Sequence, residues 1–244
     1  MSIPEIIAHR GYSYVAPENT LAAINLAWLV GADAVEIDVY LTTDNQIVLH
    51  HDRTTARTTG VDLTVSESSF DQLRALDVGK WKGDQWSGEK IPTLEDALAT
   101  IPDGKRMFVE IKCHSEIIPW FIKTLDSSRC KDEQVAVISF YEDIIKDIKA
   151  IRPSLPAYWL CWTDRKTPEE LIEIAKSANA DGLDAMVCDA FNEDFVSKLR
   201  AAGMGVYVWT VDKDDEAQRM AALGVDGITT NRPAEIRALL EGRR

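Results

Sequence analysis

Short runs of apolar and β-branched residues recur along this chain, and segments whose apolar positions have helical spacing alternate with them. The apolar runs predict strands at residues 5–9, 34–40, 107–111, 135–139, 157–161, 182–186, 205–209 and 227–230. The segments with helical spacing predict helices at residues 20–30, 94–101, 116–127, 141–151, 168–178, 193–202, 214–223 and 233–240.

The alternation predicts an α/β protein with a parallel sheet, because parallel neighbours need a crossover connection that a helix usually supplies. Eight such units close a (β/α)8 TIM barrel, and 244 residues is an ordinary length for one. An open, doubly wound sheet is the alternative. No G-x-G-x-x-G motif follows any predicted strand, so we favour the barrel.

One stretch departs from the repeat. After the second predicted strand, Asp44-Asn45 is a turn signal between two apolar runs and predicts a hairpin. Residues 53–91 are then polar, interrupted by glycines, and contain one short helical pattern. We expect a small insertion after strand 2, within a single TIM-barrel domain that spans residues 1–244.

The charge balance limits the class of partner. Lysine and arginine number 27 and aspartate and glutamate 40, so the formal net charge is −13. Such a charge repels nucleic acids and anionic membranes, and we expect neither as a partner. An anionic small-molecule substrate would have to be held by a local cationic pocket or a bound metal.

The four cysteines lie far apart and form no C-x-x-C pair, so we expect neither a zinc site nor a disulfide framework. Reduced thiols are typical of the cytoplasm. The first residues lack the basic and apolar regions of a leader peptide, and no apolar run approaches the length of a membrane span. We therefore expect a cytoplasmic protein without stable membrane association, and leave open whether it forms a homo-oligomer.

Ionisable residues are concentrated where the first three barrel strands end, the face at which TIM barrels carry their sites. They are His9 and Arg10, Glu36 and Asp38, and Glu110 and Lys112. Three converging carboxylates would repel one another unless a cation lay between them. Oxygen ligands suit Mg²⁺ or Ca²⁺ better than zinc.

The predicted hairpin adds a histidine to this group. A two-residue turn at residues 44–45 places His51 opposite Asp38, on the same face of the sheet. One further loop residue would place His50 there instead. We predict the first arrangement, with His50 on the reverse face.

Two imidazoles (His9, His51), two cations (Arg10, Lys112) and a metal held by carboxylates are the groups that cleavage of a phosphodiester requires. The metal and the cations neutralise the phosphate. One imidazole removes a proton from the attacking oxygen, and the other protonates the departing alkoxide. The residues alone leave open which histidine is the acid, and whether water or a neighbouring substrate hydroxyl attacks.

Eight segments resemble motifs of the glycerophosphodiester phosphodiesterases, which share a phospholipase C-like barrel. They read AHRG (8–11), PENT (17–20), GADAVEIDV (31–39), HHDRTTARTTG (50–60), IPTLEDAL (91–98), VEIK (109–112), VYVWTV (206–211) and GVDGITTNRP (224–233). The match spans nearly the whole chain in the family's order. Together the motifs are specific, although any one alone would be weak.

The resemblance implies a Mg²⁺ or Ca²⁺ site of three carboxylates, an acid–base pair and two phosphate contacts. In that order these are Glu36, Asp38 and Glu110; His9 and His51; and Arg10 and Lys112. The implied reaction is hydrolysis of glycerophosphodiesters, such as glycerophosphocholine and glycerophosphoethanolamine, to sn-glycerol 3-phosphate and an alcohol.

Three positions near the later strand ends bear on how the substrate is held. Trp209 either contacts the glycerol of the substrate or packs over the end of the barrel. Asp212 stands where the family commonly has Asn, and Asn231 stands where Asp is usual. We expect these two departures to affect substrate preference more than activity.

Two other functions stay open. A phospholipase D-like hydrolase of lysophospholipids is the nearest enzymatic alternative, but no amphipathic or basic membrane-docking segment is evident. A non-catalytic barrel that binds a phosphate ligand would be expected to lack a histidine or a carboxylate of the set, and all are present. We favour the hydrolysis of glycerophosphodiesters.

Overall fold

The computed structural model describes residues 3–189 and 191–242. Nine strands in these residues lie at Glu5–His9 (β1), Ala34–Leu41 (β2), Ile47–Leu49 (β3), Arg106–Ile111 (β4), Val135–Ser139 (β5), Ala157–Trp162 (β6), Gly182–Met186 (β7), Gly205–Trp209 (β8) and Gly227–Thr230 (β9). All eight predicted strands are among them, with ends within one residue of those predicted.

Ten α-helices in the same residues lie at Leu21–Leu29 (α1), Ala56–Thr59 (α2), Phe70–Arg74 (α3), Leu94–Leu98 (α4), Ile118–Ser127 (α5), Glu142–Ile151 (α6), Pro168–Ser177 (α7), Glu193–Ala201 (α8), Asp214–Leu223 (α9) and Pro233–Leu240 (α10). Eight of them are the predicted helices. The largest difference is in α4, which is predicted to reach residue 101 and ends at Leu98; Pro102 disfavours helical geometry at Ile101. Within the described residues, no helix combines the length and the apolar character needed to cross a membrane.

Eight of the strands form a closed parallel barrel. Their order around the ring is β1-β9-β8-β7-β6-β5-β4-β2, and pairing between β1 and β2 closes it. β3 lies outside the ring and pairs antiparallel with β2. The predicted (β/α)8 TIM barrel is therefore confirmed, with the insertion after its second strand.

The inside of the barrel is filled below the strand ends. Phe108, Tyr158 and Tyr207 are buried there, with ring centroids 4.6 to 6.0 Å apart. They come two residues before Glu110, Leu160 and Trp209 on their strands, so they lie nearer the amino-terminal end. This aromatic plug fills the barrel below the carboxyl ends of the strands, in one apolar cluster with Ile138 and Leu160, which line the cavity at those ends.

The predicted register of the β2–β3 hairpin is wrong by one residue. Leu41 pairs with Ile47, because the loop holds three residues instead of two. As a result His50, and not His51, faces Asp38 in the ladder, and its N–H donates to the Asp38 carbonyl oxygen at 3.0 Å. β3 has ended by this point, so His51 is free to turn away from the ladder.

Residues 53–91 contain only short helical segments, α2, α3 and three turns of 3₁₀ helix. The segment has a small apolar core, to which β3 also contributes, formed by Val48, Val65, Leu73, Val78 and Ile91. Val48 belongs to the hairpin, so this core attaches the segment to the barrel. That residues 1–244 form one domain stays a prediction.

Candidate active site

A cavity of about 100 Å³ lies at the carboxyl ends of the barrel strands. Seven of the eight predicted site residues line it, namely His9, Arg10, Glu36, His51, Glu110, Lys112 and Trp209. The eighth, Asp38, is fully buried beside Arg10 and Lys112. Closure of the barrel thus brings together residues that lie far apart in the sequence.

Glu36, Asp38 and Glu110 converge, with one carboxylate oxygen of each within 4.8 Å of the other two. Burial, and then the charges of Asp38 and Glu110, raise the pKa of Glu36 well above its ordinary value. Burial and the charge of Asp38 raise the pKa of Glu110 to about 7. A divalent cation would relieve this repulsion, and a buried set of oxygen ligands fits Mg²⁺ or Ca²⁺.

Asp38 is the ionised member of the cluster. Burial alone would raise its pKa, but the charges of Lys112 and Arg10 outweigh burial and hold the pKa well below its ordinary value. Lys112 Nζ donates to Asp38 Oδ1 at 3.2 Å and to Glu110 Oε1 at 2.9 Å. Arg10 Nε lies 3.2 Å from Asp38 Oδ2. Both predicted phosphate contacts therefore stand at the rim of the carboxylate cluster.

Asn19 holds Asp38 in place, a role that the sequence reasoning missed. Its Nδ2 donates to Asp38 Oδ2 at 2.8 Å, and its Oδ1 accepts from the Asp38 backbone N–H at 3.0 Å. Its side chain is available for this because Thr20, the next residue, caps helix α1. The PENT motif marked the position, but only the fold reveals its partner.

Arg10 is oriented by its own backbone and by an acidic neighbour. It follows β1 with a left-handed φ of 55°, and its N–H donates to Glu36 Oε2 at 2.9 Å. Its guanidinium donates to Glu18 Oε1 at 3.0 Å, and Arg57 binds the same carboxylate. A guanidinium held in this way loses little conformational freedom when it binds an anion.

The tautomer of His9 follows from its neighbours. Asn231 Nδ2 donates to Asp212 Oδ2 at 2.6 Å, and the Ser13 hydroxyl donates to Asn231 Oδ1 at 2.7 Å. The oxygen of the Asn231 amide therefore faces His9 Nδ1, at 2.8 Å, so Nδ1 is the nitrogen that carries the proton. Nε2 is left with its lone pair, 3.9 Å from Glu36 Oε2. Burial, and then the charge of Arg10, lower the pKa of His9 to about 4.

His51 has a carboxylate where His9 has an amide. Its Nδ1 lies 2.7 Å from Asp52 Oδ1, and Arg57 Nε donates to Asp52 Oδ2 at 2.6 Å. Burial lowers the pKa of His51, while the charges of Asp38 and Asp52 oppose that shift. His50 is buried, and its Nε2 lies 3.2 Å from the Thr54 carbonyl oxygen. His51 therefore lines the cavity, as predicted. The hairpin register from which that position was predicted is wrong by one residue.

Trp209 both packs and lines the cavity. Its indole meets the Phe140 ring edge-on, with centroids 5.6 Å apart, and its Nε1 donates to the Asp184 carbonyl oxygen at 3.0 Å. The cavity therefore has one polar wall and one aromatic wall. Asp184 and Thr229, which the sequence reasoning did not select, also line it.

The sequence matches the model of the glycerophosphoryl diester phosphodiesterase family over residues 9–235. A glycerophosphodiester phosphodiesterase from Caldanaerobacter subterraneus subsp. tengcongensis is 33% identical over 234 residues, which cover 93% of this chain and 94% of that protein. Another from Bacillus subtilis is 28% identical, over 93% of this chain and 83% of its own length.

The fold has a similar solved counterpart. The structure of an Oleispira antarctica phosphodiesterase in complex with the product sn-glycerol-3-phosphate matches this chain with a TM-score of 0.90 and 30% identity. The match covers 98% of this chain and 97% of that one. The similarity thus includes the barrel and residues 53–91 alike.

Proposed function

This chain belongs to the glycerophosphoryl diester phosphodiesterase family and hydrolyses glycerophosphodiesters, and we propose that it converts substrates such as glycerophosphocholine and glycerophosphoethanolamine to sn-glycerol 3-phosphate and an alcohol. The observation that carries this proposal is the convergence of two imidazoles, two cations and three carboxylates around one cavity. All four cysteines are free thiols, which supports a cytoplasmic location.

Glu36, Asp38 and Glu110 are the residues that would hold a divalent cation, Mg²⁺ or Ca²⁺. When bound, the cation would neutralise charge on the phosphate. Arg10 and Lys112 line the same cavity and bind the phosphate oxygens as hydrogen-bond donors. Arg10 is already oriented by Glu18, so it needs little rearrangement.

His9 is the general base in this mechanism. Its Nδ1–H is held by the Asn231 amide oxygen, so the lone pair of Nε2 is the one available to accept a proton. With its pKa lowered to about 4, the imidazole is neutral near pH 7. It removes the proton from the attacking oxygen, which belongs to water or to a neighbouring hydroxyl of the substrate.

His51 is the general acid. A carboxylate stabilises the imidazolium form of an adjacent histidine, and Asp52 stands at Nδ1 of His51. Burial and the charges of Arg10 and Lys112 lower the pKa of His51, whereas the charge of Asp38 raises it. Of the two imidazoles, His51 is the one with a carboxylate at Nδ1 to stabilise its charged form, and it protonates the departing alkoxide.

The test is release of sn-glycerol 3-phosphate from glycerophosphocholine, with Mg²⁺ or Ca²⁺ and with EDTA. We expect release that needs the cation and that is lost in His51→Ala. His114→Ala is the matched control, because His114 is exposed and packs on Tyr141 outside the cavity. Faster hydrolysis of the acylated substrate, lysophosphatidylcholine, would favour the lysophospholipase D alternative. Binding of the diester without hydrolysis under any metal would favour the non-catalytic alternative.

A further inference from the structure

Asp184 is an acidic residue that the mechanism does not use. It lies on β7, is 1% exposed, and lines the cavity. Within the described chain its Oδ1 is buried without a hydrogen-bond partner. Burying a carboxyl oxygen without a partner is unfavourable, so a polar group from outside the protein is expected to meet it.

Thr229 on β9 presents a second such atom. Thr229 is 2% exposed and lines the same cavity. Its Oγ1 also lacks a hydrogen-bond partner among the described residues. The adjacent Thr230 differs, since its hydroxyl donates to Asp212 at 3.0 Å. The unpartnered hydroxyl is thus the one that faces into the cavity.

The two atoms belong to strands that carry no member of the carboxylate cluster, which lies on β2 and β4. β7 is the fourth strand from β2 in either direction around the ring, so Asp184 stands on the wall opposite Glu36 and Asp38. The aromatic plug lies below, and Trp209 Nε1 holds the Asp184 backbone from above. Thr229 lies on β9, which stands between β1 and β7 in the ring and pairs with β1, so a ligand whose phosphate contacts Arg10 can extend past Thr229 toward Asp184.

The side chains of Asp184 and Thr229 favour a hydroxyl group as the part of the ligand that they bind. Burial raises the pKa of Asp184 to about 8, so near pH 7 its carboxyl group is largely neutral and can donate as well as accept. The Thr229 hydroxyl has the same dual capacity. A trimethylammonium group has no N–H to donate, and the two cations that line the cavity, Arg10 and Lys112, lie beside Asp38 instead.

We propose that Asp184 and Thr229 form a subsite that binds a free hydroxyl of the substrate's glycerol moiety and so selects glycerol-containing diesters. The inference rests on the proposed function of the cavity. It assigns the deep, closed end of the cavity to the glycerol and leaves the open end to the variable alcohol.

The first test measures binding by calorimetry, with sn-glycerol 3-phosphate and with methyl phosphate, which lacks the hydroxyls. We expect the wild type to prefer sn-glycerol 3-phosphate. Asp184→Ala and Thr229→Val should each weaken binding of sn-glycerol 3-phosphate about tenfold and leave the binding of methyl phosphate unchanged. Thr229→Ser keeps the hydroxyl and should retain the preference. Equal weakening of both ligands would overturn the subsite.

The second test measures hydrolysis of glycerophosphocholine and of bis(p-nitrophenyl) phosphate, a diester without glycerol. For the first substrate we expect KM to rise about tenfold in Asp184→Ala and Thr229→Val with kcat nearly unchanged; for the second, no change in kcat/KM. If Asp184→Ala raised KM for glycerophosphoethanolamine but not for glycerophosphocholine, Asp184 would bind the ammonium group of the alcohol, and the proposal would be overturned. Absence of wild-type hydrolysis would contradict the proposed function, and the binding test would still decide the subsite.

Discussion

Asn231 donates from Nδ2 to Asp212 Oδ2 at 2.6 Å, so the two positions that depart from the family's pattern are in direct contact. The chain carries Asp at 212 and Asn at 231, where the family commonly has the reverse. The pair therefore contains one carboxylate and one amide in either arrangement. In this chain the amide is the member that faces His9.

Asn231→Asp should destabilise the protein, because it places a second carboxylate against Asp212. We expect a loss of about 1 to 3 kcal/mol in the free energy of unfolding, measured by urea titration. The double variant Asp212→Asn/Asn231→Asp again has one carboxylate and should recover most of that loss. A double variant as unstable as the sum of its two single changes would contradict the pairing.

Substrates with different leaving groups should separate the roles of the two histidines. We expect His51→Ala to lower kcat on glycerophosphocholine by about 10²- to 10⁴-fold. With a glycerophosphodiester of p-nitrophenol the loss should be small, because p-nitrophenolate departs without a proton. His9→Ala should be impaired on both substrates, since each needs the base. The reverse pattern would exchange the two roles, and His114→Ala should behave as the wild type.

Cation binding should release protons near pH 7. Burial raises the pKa of Glu110 to about 7 and that of Glu36 well above its ordinary value, so part of the cluster is protonated before a cation enters. Calorimetric titration with Mg²⁺ or Ca²⁺ in buffers of different ionisation enthalpy should give heats that depend on the buffer. Glu110→Gln should reduce both the affinity and the proton release. Heats that are identical in all buffers would show that the carboxylates are already ionised.

Asp184→Asn should change how stability depends on pH. The folded chain holds the Asp184 proton up to about pH 8, whereas the ordinary pKa of 3.8 leaves the unfolded chain ionised. The folded state therefore binds more protons between these values, and raising the pH favours unfolding by up to about 1.4 kcal/mol per pH unit. Asp184→Asn removes this contribution, so its stability relative to the wild type should grow from pH 5 to pH 8. A difference independent of pH would contradict the raised pKa, and Asp62→Asn, at an exposed position, is the control.

Much of the site was predictable because TIM barrels carry their polar groups at the carboxyl ends of the strands. His9, Glu36 and Glu110 were found in this way, from their positions alone. Asp184 was not, because it stands in the middle of a short apolar run and nothing local distinguishes it from a packed core position. Its unpartnered oxygen is a property of the closed cavity.

The alternation of apolar runs and helical segments determined the eight strand–helix units and favoured a barrel over an open sheet, since local periodicity records which side of each element is buried. Pairing between β1 and β2 in the structure decided that the sheet closes. The structure alone decided which atoms meet. The β2–β3 loop holds three residues, so His50 occupies the ladder position predicted for His51. Asn231 reaches His9 only because β1 and β9 are neighbours in the closed ring. Hydrogen-bond partners depend on loop geometry and on sheet closure, and neither leaves a periodic signal in the sequence.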